Sequence, residues 1–317
     1  MPNLSPLARL ARVLAAPAAV FGLSSCTLSN LSPARVMTDQ EKRAAAVTPT
    51  APGSTPVAPI PLPEVAFGQA LRVGGDLAIT AKREGNGDSE TWAVGTALIN
   101  TPLPVGYAPP TPPGAIDLKR YPSLRRAEYT GTITPGLGMN FGFFPLFNHI
   151  KRRDIAMTSP VEMDYRGLME PAADQPPAAD PQLKPASTDK VPSDWTMSFL
   201  YRKQEQGPAG ADSKDARISV VDTPERLVVA LGFQGGQGLG RVKKELDVLA
   251  EWLAADARWE PAGEPRALYY NGPDRRDRDK WGEVQLPVRP RRAAKPEAFR
   301  PETVRPEAVK PAPAATP

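Results

Sequence analysis

Proline is the residue that most limits how this chain can fold. The sequence of 317 residues contains 39 prolines. Each proline fixes φ and removes a backbone N–H, so it is disfavoured in the interior of helices and of central strands. The prolines concentrate before residue 64, around residues 107–114 and 170–192, and after residue 289. We therefore expect a folded part that is much smaller than the whole chain.

The N-terminus has the layout of a secretory signal. Arg9 and Arg12 precede the apolar run Val13–Leu23, which is too short to span a bilayer as a helix. The run ends in Leu23-Ser24-Ser25-Cys26, and Cys26 is the one cysteine of the chain. Small residues followed by a cysteine resemble a bacterial lipoprotein signal, in which a peptidase cuts before the cysteine and the thiol takes a diacylglycerol.

This resemblance implies a lipid anchor. Residues 1–25 would be a lipoprotein signal peptide, and acyl chains such as palmitate on Cys26 would hold the protein on the extracytoplasmic side of a membrane of the bacterial cell envelope. Each buried acyl CH₂ contributes about 0.8 kcal/mol to membrane binding. The alternatives are an ordinary signal peptide and a buried N-terminal helix, each with an incidental cysteine.

The rest of the sequence divides by composition into four regions. They are a disordered Pro/Ala/Thr tether at 26–64, a β-hairpin extension with a Pro-rich bridge at 65–116, a main domain at 117–288 with a Pro-rich insertion at 170–192, and a disordered basic tail at 289–317. The tail carries seven Lys or Arg and three Glu, which accounts for the whole formal net charge of +4. Because the remainder is balanced, the basic pI does not indicate a nucleic-acid partner.

The extension contains two β-prone runs with a turn signal between them. The runs are 77–80 and 92–99, and the turn is 83–88, which holds Gly, Asn and Asp. This order predicts a β-hairpin.

In the main region, the order strand, helix, strand, strand occurs twice. The predicted elements are strand 124–132, helix 143–151, strand 155–166 and strand 195–202, followed by strand 226–233, helix 241–255, strand 266–270 and strand 281–288. The pattern predicts an α+β fold built as a pseudo-twofold repeat of two β-α-β-β units. The second helix carries its apolar residues Val242, Leu246, Leu249 and Leu253 on one stripe, as expected for packing by one face.

Several of these segments resemble one known family. The residues are Tyr121-Pro122 before a strand, Phe147-Asn148-His149-Ile150, Ile155-Ala156-Met157-Thr158-Ser159-Pro160-Val161, Leu227-Val228-Val229-Ala230 and Tyr270-Asn271-Gly272-Pro273. Together they are similar to the SOUL haem-binding family. The resemblance implies a distorted barrel flanked by two helices, and binding of haem or another tetrapyrrole without catalysis.

The candidate haem pocket follows from this resemblance. The candidate residues are Phe143, Phe144, Phe147 and Met157 as apolar lining, Arg152 and Arg153 as partners of the haem propionates, and His149 as an axial iron ligand. Plain core packing is the alternative for the apolar residues, and a solvated basic helix end is the alternative for the arginines.

His149 is the one histidine of the chain, and helical geometry argues against it as a ligand. With Phe147 at zero on a helical wheel, Phe143 and Ile150 fall nearby and His149 lies roughly 160° away. The wheel therefore predicts a partly exposed histidine that points off the main apolar face. In that case haem binding would rest on hydrophobic contact and propionate pairing alone.

Other function classes find little support. One histidine and one cysteine exclude multi-His metal sites and intramolecular disulfides. The glycine-rich stretch 232–240 has Arg241 and Val242 where a phosphate-binding loop needs Lys and Ser or Thr. Two alternatives remain: a cell-envelope effector-binding or protein-interaction module with the same fold, and an enzyme that modifies tetrapyrroles.

Overall fold

The structure is a computed structural model, and it describes residues 62–131, 135–171, 183–187, 191–192 and 194–291. All of them belong to one unit of the chain, Ala58–Pro317. The predicted signal peptide, Cys26, most of the predicted tether and the tail beyond Arg291 lie outside the described residues.

The described residues form strands from Gln69 to Pro290 and two α-helices. The strands are β1 Gln69–Gly75, β2 Lys82–Glu84, β3 Thr91–Val94, β4 Ala97–Ile99, β5 Ala115–Tyr121, β6 Arg125–Gly131, β7 Val161–Arg166, β8 Met169–Pro171, β9 Leu183–Pro185, β10 Asp194–Leu200, β11 Gly210–Ala211, β12 Ile218–Asp222, β13 Arg226–Gln234, β14 Trp259–Pro261, β15 Arg266–Tyr269 and β16 Trp281–Pro290. The helices are α1 Pro135–Arg152 and α2 Leu239–Ala255.

One large antiparallel sheet dominates the fold. Its strand order is β1-β5-β13-β16-β15-β7-β10-β6-β12-β11, and β14 pairs with β16 beside this path. The ladders of the described residues run from β1 to β11 without returning to β1. The α+β prediction is therefore confirmed as a large antiparallel sheet with two helices, but the predicted barrel does not close.

Both helices pack on the same apolar face of the sheet. Helix α1 contacts β6, β10 and β12, and α2 contacts β13, β14 and β16. The stripe predicted for α2 is confirmed, because Val242, Leu246, Leu249 and Leu253 are all buried. They join Met163 and Leu286 from the sheet in one core.

The opposite face of the sheet is polar and is covered by N-terminal segments. Successive residues of a strand point to opposite faces, so Glu162 faces away from the core residue Met163. Trp92 and Tyr107 from the extension pack here against Tyr270 and Trp281 in a second apolar cluster. The sheet is thus buried on both sides, by helices on one and by its own N-terminal chain on the other.

The N-terminal extension differs from the predicted hairpin. Strands β2, β3 and β4 form a small three-stranded sheet. The turn between β2 and β3 lies where the sequence indicated it, but residues 77–80 form no strand, and Gly95 and Thr96 make a turn within the second predicted run. Strand β1 pairs with β5 and so extends the large sheet, which the hairpin prediction missed.

Several predicted boundaries shift in the main region. The strand predicted at 155–166 begins at Val161, because residues 155–160 lead into a cis Ser159-Pro160 bond and lie outside the ladder. Within the predicted insertion, β8 and β9 pair. The predicted tail begins inside β16, where Arg289 donates to Glu260 at 2.7 Å.

Candidate functional site

An aromatic stripe lies on the exposed side of α1. Phe141, Phe144 and Phe147 are 63%, 62% and 41% exposed. They are spaced three residues apart, so they fall on neighbouring positions of one helix side. Lys151, one turn beyond Phe147, continues this side and is exposed as well. We call the three exposed phenylalanines the aromatic stripe.

Phe143 joins the aromatic stripe to the core. Its ring stacks on Phe147 at a centroid distance of 6.0 Å and meets Phe144 edge-on at 5.9 Å. On its other side it contacts the buried Phe199 of β10 at 5.2 Å. Phe144 and Phe147 are therefore packed against Phe143, which is itself packed against the core.

The buried side of α1 contains the histidine. Leu146, His149 and Ile150 are buried, and His149 has no exposed surface. The prediction of a partly exposed histidine is wrong. Apolar residues occupy more than half of the helix circumference, and the sequence pattern placed the buried side at Phe147, whereas the sheet covers the side centred on Leu146.

Both ring nitrogens of His149 have partners. The Nδ1 atom forms a hydrogen bond with Asp212, and Nε2 lies 2.7 Å from the hydroxyl of Tyr201. Burial acts to raise the pKa of Asp212, but bonds from two backbone N–H groups and from the His149 ring lower it to about 2. An ionised carboxylate only accepts, so Nδ1 carries the proton and Nε2 accepts from Tyr201.

The protonation states of this group follow from its burial. Burial lowers the pKa of the His149 ring, and it raises the pKa of Tyr201 to about 12. The ring is therefore neutral and the tyrosine keeps its proton at neutral pH. Nε2 accepts from Tyr201 and Nδ1 donates to Asp212, so neither nitrogen is free for iron in this arrangement. An axial ligand would need one ring nitrogen that faces the haem and has no partner within the protein.

Asp212 also binds the arginines that were predicted to hold propionates. Arg152 reaches one carboxylate oxygen at 3.2 Å, and Arg153 lies 3.5 Å from the other. The loop between β10 and β12 is held against the end of α1 by these contacts and by His149. The two arginines bind Asp212 of this loop and are not part of the aromatic stripe.

The remaining predicted lining residue, Met157, is half-buried and packs on the main core. Phe144 and Phe147 lie on open surface. The residues predicted to form one hydrophobic pocket are thus divided. Phe143, Phe144 and Phe147 contact each other on α1, whereas Met157 packs against the main core. A cavity of about 440 Å³ lies elsewhere, between residues 62–65 and the start of β13.

A buried ionic network on the polar face was not predicted. Glu162 accepts from Arg126 at 2.7 Å and from Arg266 at 2.9 Å. Burial acts to raise the pKa of Glu162, but the two arginines lower it to about 2. Lys119 donates to Glu283 at 2.8 Å, and burial lowers the pKa of this lysine. Alternating charged residues in β5 and β7, which are Asp117 and Lys119 in one strand and Glu162 and Asp164 in the other, were the available signal for this network.

Two further features concern ions and membranes. Within the described ranges, no three His, Cys, Asp or Glu side chains gather in a way that could hold a metal ion. Among the described residues, no helix is long enough and apolar enough to cross a bilayer.

The main region matches a known family. A model of the family described as SOUL heme-binding protein matches residues 108–285, which is more than half of the chain. The match begins in the Pro-rich bridge before β5 and ends within β16, so it includes both helices and most strands of the large sheet. Among curated proteins, none matches the chain.

The solved structures that match part of the chain are distant in sequence. EcmrR in its complex with DNA is 13% identical with a TM-score of 0.39, and the match covers 55% of this chain and 56% of that one. An uncharacterized conserved protein from Listeria innocua is 11% identical with a TM-score of 0.37, and the match covers 57% and 94%. A hydrolase from Listeria innocua is 13% identical with a TM-score of 0.35, at the same coverage.

Proposed function

Because the chain belongs to the SOUL heme-binding protein family, we propose that it binds haem or a related tetrapyrrole, and that the aromatic stripe of α1 is the surface that receives the ring. The observation that carries this proposal is the exposure of three phenylalanines side by side on one helix. Contiguous exposed apolar patches on folded proteins mark interaction sites.

The shape of the aromatic stripe suits a flat apolar ligand. From Phe141 to Phe147 the helix rises roughly 9 Å, which is comparable with the width of a tetrapyrrole ring. Fully burying one phenylalanine side chain contributes about 1.5–3 kcal/mol. Because Phe143 already fixes Phe144 and Phe147 from below, little side-chain freedom is lost on binding.

The polar contacts of such a ligand would come from the end of the helix. Lys151 continues the aromatic stripe and is exposed, so its ammonium group is placed to pair with a carboxylate at the ring edge. Arg152 and Arg153 are held by Asp212, and both nitrogens of His149 are bonded within the protein. We therefore propose binding without an iron bond from His149.

A hemin titration tests this function. The Soret band of hemin should shift and saturate at micromolar protein, and metal-free protoporphyrin should bind with similar affinity because the contact is to the ring. Replacing His149 by Asn should leave the spectrum of the hemin complex unchanged. Absence of a saturable shift with either ligand contradicts the proposal.

We also propose that the main region is a pseudo-twofold repeat. Strands β13, β16 and β15 pair in the same relative order as β6, β10 and β7, and β15 pairs with β7 where the two halves meet. In each half the helix follows the first strand and precedes the other two. This matching order supports a duplication of one β-α-β-β unit.

The remaining parts of the proposal concern place and role. We propose that Cys26 carries the lipid anchor and that the protein binds, buffers or delivers tetrapyrroles at the extracytoplasmic side of the bacterial cell envelope, without catalysis. The order of apolar run, small residues and cysteine at 13–26 supports the anchor. Replacing Cys26 by Ser should release the protein from the membrane fraction, and retention of the variant there contradicts the anchor.

A further inference from the structure

A short proline-rich segment lies buried against the polar face of the sheet. It runs over residues 107–113, Tyr-Ala-Pro-Pro-Thr-Pro-Pro, and we call it the strap. Proline fixes its own φ, and a residue before proline is restricted to extended geometry. Nearly every residue of the strap meets one of these two conditions, so its sequence favours an extended conformation of the polyproline II type. Ala108 and Thr111 within it are fully buried.

The polar face holds the strap by its backbone. Trp281 donates its indole N–H to the carbonyl of Thr111 at 2.7 Å. Lys119 donates to the carbonyl of Pro109 at 2.6 Å. In return, the backbone N–H of Thr111 donates to Glu283 at 2.7 Å. All three bonds go to backbone atoms of the strap, so they depend on its conformation and not on the identity of its side chains.

One side chain anchors the strap at its start. The hydroxyl of Tyr107 donates to Glu162 at 2.9 Å, and its ring contacts that of Tyr121 in a tilted arrangement with the centroids 4.6 Å apart. Tyr270 and Trp281 line the same surface. The strap thus lies in an aromatic groove with buried acceptors at both ends.

Strand β13 is shaped for the passage of this chain. Gly232 lies under the strap, and a Cβ atom at this position would overlap the carbonyl oxygens of Thr111 and Pro112. The N–H of Gly114, just after the strap, donates to the carbonyl of Gly232 at 2.8 Å. The close approach of the two backbones therefore requires a glycine here.

We propose that this groove is a binding site for proline-rich peptides, and that the strap is the peptide which occupies it in cis. An aromatic groove with an indole N–H aimed at a backbone carbonyl is the way in which polyproline II segments are recognised. The partner has the chemistry of the strap: a tyrosine followed by proline pairs in an extended segment of another protein. This site lies on the opposite face of the sheet from the aromatic stripe and does not depend on tetrapyrrole binding.

The strap competes strongly with any such partner. It is joined directly to β5, so its effective concentration at the groove is on the order of millimolar or higher. A partner therefore gains access only when the strap is weakened. Its side-chain anchor, Tyr107, is the point at which the strap can be weakened while the groove stays intact.

Anisotropy of a fluorescent peptide Tyr-Ala-Pro-Pro-Thr-Pro-Pro-Gly tests the proposal with the full chain. We expect Tyr107→Ala to bind this peptide at least tenfold more tightly than the wild type. Adding Trp281→Phe to that variant removes the indole donor and should weaken binding roughly 3- to 10-fold. A peptide with alanine in place of the prolines should not bind, since it lacks the preformed geometry.

A second variant covers the case in which Tyr107→Ala fails to fold by circular dichroism. Thr111→Pro removes the N–H that donates to Glu283 and keeps the polyproline geometry, so it should raise the affinity in the same way. Equal binding by these variants and the wild type overturns the proposal. So does equal binding of the alanine peptide. If both variants unfold, the strap is an inseparable part of the core and the proposal is overturned as well.

Discussion

At the scale of single residues, two buried charges organise the polar face of the sheet. Lys119 and Glu283 are both fully buried and lie 2.8 Å apart. Two such charges lose their hydration, so each depends on the other and on the neighbouring donors and acceptors. Removing one partner leaves an uncompensated charge in the interior.

This dependence gives a stability prediction with a control at the next position. Lys119→Met should lower the free energy of unfolding by about 3–5 kcal/mol. Arg120→Met should change it by no more than about 1 kcal/mol, because Arg120 and Glu225 form an exposed pair 3.7 Å apart. Urea unfolding of the two variants measures both values, and equal losses would contradict the account of the network.

His149 makes the pH dependence of stability unusually simple to interpret. It is the one histidine of the chain, and burial lowers its pKa in the folded state. The unfolded state therefore binds a proton more readily as the pH falls below about 6.5. The stability contributed by the neutral ring is fully present above that pH and is lost below it.

The expected result is a decrease in unfolding free energy of the wild type from pH 7.5 to 5.5. His149→Asn keeps an N–H for Asp212 but does not titrate, so its unfolding free energy should change less over the same range. Asp212, with a pKa of about 2, contributes stability that is lost only as the pH falls from about 4 towards 2. Urea titrations at the two pH values make the comparison, and identical slopes would show that His149 is not the group responsible.

At the scale of elements, glycine is required at positions where another backbone or a side chain lies too close for a Cβ atom. Gly282 of β16 lies against the ring of Phe233 in β13, and a Cβ atom at this position would overlap that buried ring. Gly240 in α2 has open space around its Cα. The two glycines should therefore respond in opposite directions to the same substitution.

Gly282→Ala should destabilise the protein by about 1–3 kcal/mol, since overpacking forces buried side chains to move. Gly240→Ala should stabilise it by up to about 1 kcal/mol, because alanine is favoured over glycine in helices. Thermal unfolding of the two variants checks the signs. A stabilising effect of Gly282→Ala would mean that the contact with Phe233 is wrong.

How well the sequence predicted each element depended on how local its signal was. Helix α2 was predicted to start at Arg241 and starts at Leu239. The prediction was close because the apolar residues of this helix repeat with the helical period. Helix α1 was predicted to start at Phe143 but begins at Pro135, since Gly136, Gly138 and Pro145 weaken the local helical signal. Strand β12 was missed because it is short and follows a polar loop.

The candidate site was predicted only in part for a related reason. The phenylalanines of α1 were identified from sequence, but which side of the helix is buried depends on the sheet. The partner of His149, Asp212, lies 63 residues away along the chain, and no local pattern connects the two. The strap was recognised as a proline-rich bridge, but its burial follows from a charge network that only the folded sheet assembles.

At the scale of the whole molecule, the sheet separates two surfaces with different chemistry. Helices cover its apolar face, and α1 presents the aromatic stripe on the outside of that layer. The strap and the N-terminal strands cover its polar face. Changes to the stripe should therefore alter ligand binding without altering the polar network, so hemin binding by such variants can be measured on a folded protein.

The hemin affinity of a variant of the aromatic stripe tests whether this surface receives the tetrapyrrole. Phe144→Asn combined with Phe147→Asn should weaken hemin binding at least tenfold, since about 1.4 kcal/mol suffices for a factor of ten. Val248→Asn is the matched control, because Val248 is an exposed apolar residue of α2, 44% accessible, on the other helix. Its affinity should stay within twofold of the wild type. Undiminished hemin binding by the double variant would contradict the assignment of the aromatic stripe as the tetrapyrrole surface.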